Sequence, residues 1–138
     1  MTINTLTSTE PLLKIVPAYA AILSLLFIYL TWRVVKQRRK ARVALGDGNN
    51  PALRRAIGVH NNFAQYVPLA LVLITFVELN HAPAYVTQAL CIVLLLARFL
   101  HAYGVSQEKE NFKLRKTAVL STLAVYVAAA ICILIQSL

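Results

Sequence analysis

Residues 56 to 77, AIGVHNNFAQYVPLALVLITFV, decide the fold. The stretch holds no Asp, Glu, Lys or Arg and is long enough for a helix that crosses a bilayer core, which takes about 20 residues. Its first half is nevertheless polar. His60, Asn61, Asn62, Gln65 and Tyr66 follow closely on Arg54 and Arg55. Such groups are costly in hydrocarbon, so a cluster of them at the mouth of a membrane helix marks a polar pocket.

Three further stretches are free of charge over a comparable length: Ile15 to Trp32, Leu79 to Ala97, and Thr117 to Leu138. With 59% of residues hydrophobic and only 14% charged, the chain reads as an integral membrane protein. The longest connection, residues 33–55, is too short and too basic to build a second core. Its run Leu45-Gly46-Asp47-Gly48-Asn49-Asn50-Pro51 is turn-forming, and Pro51 suits the first turn of a new helix. The expected fold is all-α: one domain over residues 1–138, an integral membrane four-helix bundle with helices at about 12–36, 52–79, 82–103 and 115–137.

The net charge of +9 is carried by the loops. Arg33, Lys36, Arg38, Arg39, Lys40, Arg42, Arg54 and Arg55 lie between the first two spans, and Lys109, Lys113, Arg115 and Lys116 between the last two. The loop between spans two and three has neither Lys nor Arg. Positive loops stay on the cytoplasmic side, so both termini are expected on the opposite side. This distribution excludes a nucleic-acid partner and leaves the basic loop free to meet anionic lipid. A charge block that stops transfer follows the first span and no basic segment precedes it, so no cleavable targeting segment is expected. Cys91 and Cys132 sit inside apolar runs without metal-ligand spacing and read as reduced packing residues. Glu78 ends the second span on the far side, an interfacial residue and not a proton carrier. Tyr29, Trp32, Tyr85 and Tyr103 fall near span ends, as an aromatic belt requires.

On a helix, Gly58, Asn62, Gln65 and Tyr66 share one face, and Arg55, seven residues before Asn62, shares it too. His60 points roughly away, while Asn61 flanks the stripe within reach of Gln65. Two roles are open to this stripe on spacing alone: an interhelical hydrogen-bond cluster of the kind found inside membrane bundles, or a ligand site.

The segment Arg55 to Leu71, RAIGVHNNFAQYVPLAL, resembles the second-helix signature of the membrane-associated proteins in eicosanoid and glutathione metabolism, the MAPEG family, and is most like the bacterial branch. The third helix ends much as the family's does, at Ala97-Arg98-Phe99-Leu100-His101-Ala102-Tyr103-Gly104, and the likeness runs from about Leu12 to Ala130. The family pattern is an arginine, then asparagine four residues on, glutamate three later, tyrosine next, and proline two further. Here the matching positions hold Gly58, Asn62, Gln65, Tyr66 and Pro68. Gly58 and Gln65 depart from it and remove charges that the family uses on the tripeptide's carboxylate and amino groups. Val105 stands where the family has a tyrosine.

The resemblance implies a homotrimer in a bacterial inner membrane, with pockets between subunits on the cytoplasmic side, and glutathione as co-substrate. It implies that Asn62, Gln65, Tyr66 and His101 hold the peptide, and that Arg38, Arg39 and Arg55 neutralise its carboxylates, the first two from a neighbouring subunit. Arg98 is either an anchor between helices or a ligand contact. Arg115 resembles the catalytic arginine: positive charge beside a thiol lowers its pKa from about 8.5 and raises the reactive thiolate fraction, and arginine stays charged. Against this, the basic residues at the span ends also serve topology by themselves. The implied activity is a microsomal-type glutathione transferase or peroxidase acting on a lipophilic electrophile or hydroperoxide that enters from the lipid. The alternative is a non-catalytic member that binds lipid or assists a partner protein. A small four-helix exporter is disfavoured, because the first span lacks a membrane-embedded carboxylate.

Overall fold

The computed structural model of the chain describes residues 11–109 and 111–138. Four helices follow one another: α1 (Val16–Ala41), α2 (Pro51–Leu79), α3 (Ala84–Ser106) and α4 (Phe112–Ser137). All four are long and apolar enough to cross a membrane, and no strand occurs among the described residues. The chain is an all-α four-helix membrane bundle.

Local chemistry starts and stops each helix. Asn50 caps α2, its Oδ1 accepting from the N–H groups of Ala52 and Leu53 at 3.0 Å, and Pro51 occupies the first turn, where no donor is missed. Asn111 does the same for α4 by accepting from Leu114, so that helix begins before the basic run that includes Arg115. At the other end of α1 the helix continues to Ala41, past its expected end near residue 36. Arg38, Arg39 and Lys40 in the last turn suit the negative end of the helix dipole. Arg42, in the left-handed conformation at φ 55°, closes it.

Contacts at the helix ends fix the topology. The end of α2 meets the start of α1 through Glu78, Arg33 near the end of α1 meets Ser106 at the end of α3, and Gln136 of α4 donates to the Asn80 carbonyl beyond α2. The helices therefore run up, down, up, down, and both basic connections lie at one end. In the middle, α2 and α3 each pack against every other helix, whereas α1 and α4 do not touch among the described residues.

The buried face of α2, Leu53, Ala56, Val59, Phe63, Val67, Ala70, Ile74 and Val77, repeats at intervals of three and four, the period of one helix face. The buried face of α4 is made of small or short residues, Ala118, Thr122, Val125 and Ala129, which let its backbone come close to α3. Outward-facing Leu25, Ile28, Leu96 and Leu134 are more than half exposed, as residues meant for lipid should be. Cys91 is buried and Cys132 half-buried, and both are free thiols within the packing.

Candidate functional site

At the basic end, α2, α3 and α4 enclose a cavity of about 260 Å³. Arg54, Arg55, Gly58 and Asn62 line it from α2, His101 and Val105 from α3, and Arg115 from α4. The helical period explains the grouping: Arg55, Gly58 and Asn62 are spaced by three and four residues, and His101 and Val105 by four. Arg115 is brought in by a close approach. A methyl group on Gly104 would stand 3.1 Å from the Leu114 Cβ and 3.4 Å from the Arg115 nitrogen, so a side chain here would push α3 and the first turn of α4 apart by a few tenths of an ångström, and glycine lets them meet without it. The Gly104 carbonyl also accepts from the Asn111 N–H at 3.1 Å, tying the connection to the end of α3.

One layer deeper lies Arg98, 2% exposed. Its Nη1 donates to Asn62 Oδ1 at 2.9 Å, and its Nη2 to the Ala118 carbonyl at 3.3 Å and to Thr122 Oγ1. The guanidinium carbon stands 6.0 Å from the centre of the Tyr66 ring. Tyr126 donates its hydroxyl to the Tyr66 carbonyl and completes a polar junction of three helices beneath the cavity floor. Every one of these acceptors is neutral, and Arg98 Nε is buried without a partner among the described residues. A buried cation held only by dipoles keeps its electrostatic demand, and Asn62 stands between it and the cavity.

The positions singled out in the sequence therefore separate into groups. Arg55, Asn62, His101 and Arg115 meet at the cavity. Arg98 and Tyr66 form its foundation: Arg98 anchors α3 to α2 and α4. Gln65 is exposed on α2 and does not line the cavity. Arg38, near the end of α1, donates to the carbonyls of Ala44 and Gly46 and thereby folds the loop back on its own helix, and Arg39 is exposed beside it. His60 turns away from the cavity and stacks on Phe27 with ring centres 4.8 Å apart, and Asn61 lies 3.3 Å from His60 instead of reaching Gln65.

Arg55 is half-buried and has no hydrogen bond or ion pair among the described residues. Arg54 differs, being paired with Asp47 of the preceding turn. That guanidinium, with the Asn49 N–H, holds the Asp47 carboxyl below its ordinary range. Among the described residues, no carboxylate lines the cavity. A space lined by several cationic side chains is suited to an anionic guest. A side chain added at Gly58 would meet nothing within 4 Å, so the departure at this position leaves open space where a larger residue would stand.

Helical spacing and hydropathy do not point to the role of Glu78. Its carboxylate crosses to the start of α1 and accepts from the backbone N–H groups of Lys14, Ile15 and Val16 at 2.6, 2.7 and 2.9 Å. Ile15, the cap residue itself, offers no side-chain acceptor, and an acid from another helix supplies one. The only available signal was an acid at a span end, which does not say where its partner lies.

These features define a class: a small multi-pass membrane protein of four helices with a cation-lined pocket at one end of the bundle. The chain belongs to the MAPEG family, whose model matches residues 16–135. It is similar to the inner membrane protein YecN of Escherichia coli, in strain K12 and in strain O6:H1 alike, being 41% identical over 86 residues. That alignment covers 62% of this chain and 66% of the relative, so it falls just short of two thirds of the relative's length. Four spans and this relative make the chain a multi-pass protein of the bacterial inner membrane.

Proposed function

We propose that this protein is a microsomal-type glutathione transferase or peroxidase, and that the cavity between α2, α3 and α4 receives glutathione. The observation that carries the proposal is Arg55, half-buried and unpaired among the described residues, facing a cavity that Arg115 and His101 also line. A tripeptide with two carboxylates and a thiol brings negative charge to this cationic lining. Arg55 takes a carboxylate through charge-assisted hydrogen bonds. Asn62 already accepts from Arg98 and turns its amide N–H donors toward the same ligand. Arg115 stabilises the thiolate by lowering the thiol pKa.

In the transferase reaction the thiolate forms a bond to the electrophilic carbon of a lipid-soluble substrate as that carbon's bond to its leaving group breaks, or as the electron pair of an activated double bond moves to the neighbouring atom, and the proton given up by the thiol ends on the departing group, on the adduct or in water. In the peroxidase reaction two glutathione thiols reduce one hydroperoxide to the alcohol and water and end as the disulfide. The membrane setting suits both, because the apolar partner arrives through lipid and the charged peptide through water, and the bundle end orients them. A homotrimer, with Arg38 and Arg39 of each chain reaching a neighbour's cavity, belongs to the same proposal.

A non-catalytic role, binding lipid or assisting another membrane protein, is favoured by two residues: Gly58, which leaves the cavity wall open, and Gln65, which is uncharged and exposed. Titrating the purified protein with glutathione while following thiolate absorbance separates the two. Saturable thiolate formation that Arg115→Gln abolishes supports the transferase, and no binding at millimolar glutathione removes it. The double change Gly58→Arg with Gln65→Glu then tells whether restoring the two charges creates activity or destroys it. The open space at Gly58 accepts the longer side chain.

A further inference from the structure

A second concavity, of about 530 Å³, runs along the outside of the bundle between α1 and α3. It is separate from the glutathione cavity. On the last turns of α3, His101 and Val105 face that cavity, while Ala102, Tyr103 and Ser106 face the outer groove. The outer groove is apolar along its length, with Ile22, Leu25 and Phe99 in its walls, and ends at a single cation, Arg33. Arg33 is half-buried and donates to Ser106 Oγ, and its guanidinium carbon lies 5.9 Å from the centre of the Tyr29 ring. Its remaining N–H donors have no partner among the described residues, and none of its contacts is anionic.

We propose that this groove seats one acyl chain of an anionic phospholipid from the leaflet at the basic end, with the lipid phosphate on Arg33. Length supports the assignment. From Ile22 to Arg33 the helix rises about 16 Å, and one leaflet contributes half of a hydrocarbon core of about 30 Å. The groove therefore begins near the bilayer midplane and ends at the headgroup level, where Arg33 offers a fork of donors that matches phosphate. Charge complementarity supports a phospholipid: Arg33 has donors to spare and no anionic contact among the described residues, and the lipid phosphate brings the opposite charge. Lys36, lying 5.2 Å from the Trp32 ring one turn further, adds to the positive rim.

Native mass spectrometry tests the proposal on the full chain, purified with equal amounts of phosphatidylglycerol and phosphatidylcholine of the same acyl chains. The expected result is preferential retention of phosphatidylglycerol by about fivefold, the attraction of one basic residue for an anionic surface. Arg33→Gln removes the preference. Lys40→Gln, which deletes an exposed cation in the last turn of the same helix and outside the groove, keeps it. Ile22→Trp, at an exposed position in the deep end, lowers retention of long-chain but not of short-chain phosphatidylglycerol. Equal retention of the two lipids by the wild type overturns the proposal, as does an equal loss in Arg33→Gln and Lys40→Gln. So does efficient cross-linking between copies through Tyr103→Cys with no lipid retained, which would mean that another protein chain covers the groove.

Discussion

Changing Glu78 to alanine should loosen α1 from the bundle more than any other single exposed-loop or span-end substitution. The carboxylate accepts from three successive backbone donors at 2.6, 2.7 and 2.9 Å, and these are among the N–H groups that a helix start cannot satisfy internally. The Lys14 donor is exposed and finds water once the acid is gone, whereas the Ile15 and Val16 donors are partly buried. Losing a cap costs about 0.5–2 kcal/mol, and losing a negative charge at a helix N-terminus adds about 0.3–1 kcal/mol. Together these give a destabilisation of about 2–3 kcal/mol, since the bonds are charge-assisted and two are shielded. For a chain of this size that is a fall in melting temperature of about 6–12 °C. Glu78→Gln keeps one acceptor oxygen and loses the charge, so about half that shift is expected. Trp32 is the only tryptophan and lies on α1, so its fluorescence during thermal unfolding in detergent reports the helix concerned. An alanine variant that melts within about 1 °C of the wild type would refute the capping role. A glutamine variant equal to wild type would refute the charge contribution.

Other outcomes follow from the junction beneath the cavity and from the turn at its rim. Asn62→Leu should cost about 2–3 kcal/mol, because it strips a buried guanidinium of an acceptor and leaves the charge in place, while Arg98→Met, which removes the charge itself, should cost less; chemical denaturation in detergent that ranks them the other way contradicts the junction. Gly104→Val should push the first turn of α4 away from α3, since even a Cβ there stands 3.1 Å from Leu114, and should weaken glutathione binding several-fold with little change in the melting of α1; unchanged binding would mean that Arg115 is not held by this contact. Asp47 has its carboxyl held down by Arg54, so its stabilising contribution is present above the ordinary carboxylate range near pH 4 and is lost as pH falls below it through the depressed folded value. Arg54→Gln should move the Asp47 titration upward in carboxyl NMR, and an unmoved titration would show that the pair does not hold in solution.

Much of the architecture is legible in the order of residues because a bilayer acts on each span separately. Hydrocarbon requires every spanning backbone to satisfy its own hydrogen bonds, so four uncharged stretches become four helices whatever surrounds them. The excess of Lys and Arg in alternate loops orients them. The turn residues Gly46 and Gly48, at φ 67° and 55°, and the caps Asn50 and Asn111 set the boundaries locally. Helical spacing likewise places Arg55, Gly58 and Asn62 on one face and turns His60 off it.

What spacing could not supply is the partner across the bundle. Gln65 shares the stripe in projection, but the α2 face that meets α3 and α4 leaves it exposed, while Arg54, at the stripe's margin, lines the cavity. Arg98 is open in sequence to either role, anchor or ligand contact, and only the packing shows that it is buried against Asn62, Ala118 and Thr122 and ties three helices together. The caps at Asn50 and Asn111 involve residues two or three apart and were open to inspection in the chain. The cap supplied by Glu78 closes over more than sixty residues. Period and hydropathy are properties of one helix and survive in its sequence alone; a cavity, a buried cation's partners and a borrowed cap belong to pairs of helices, and exist only once packing has fixed which faces meet.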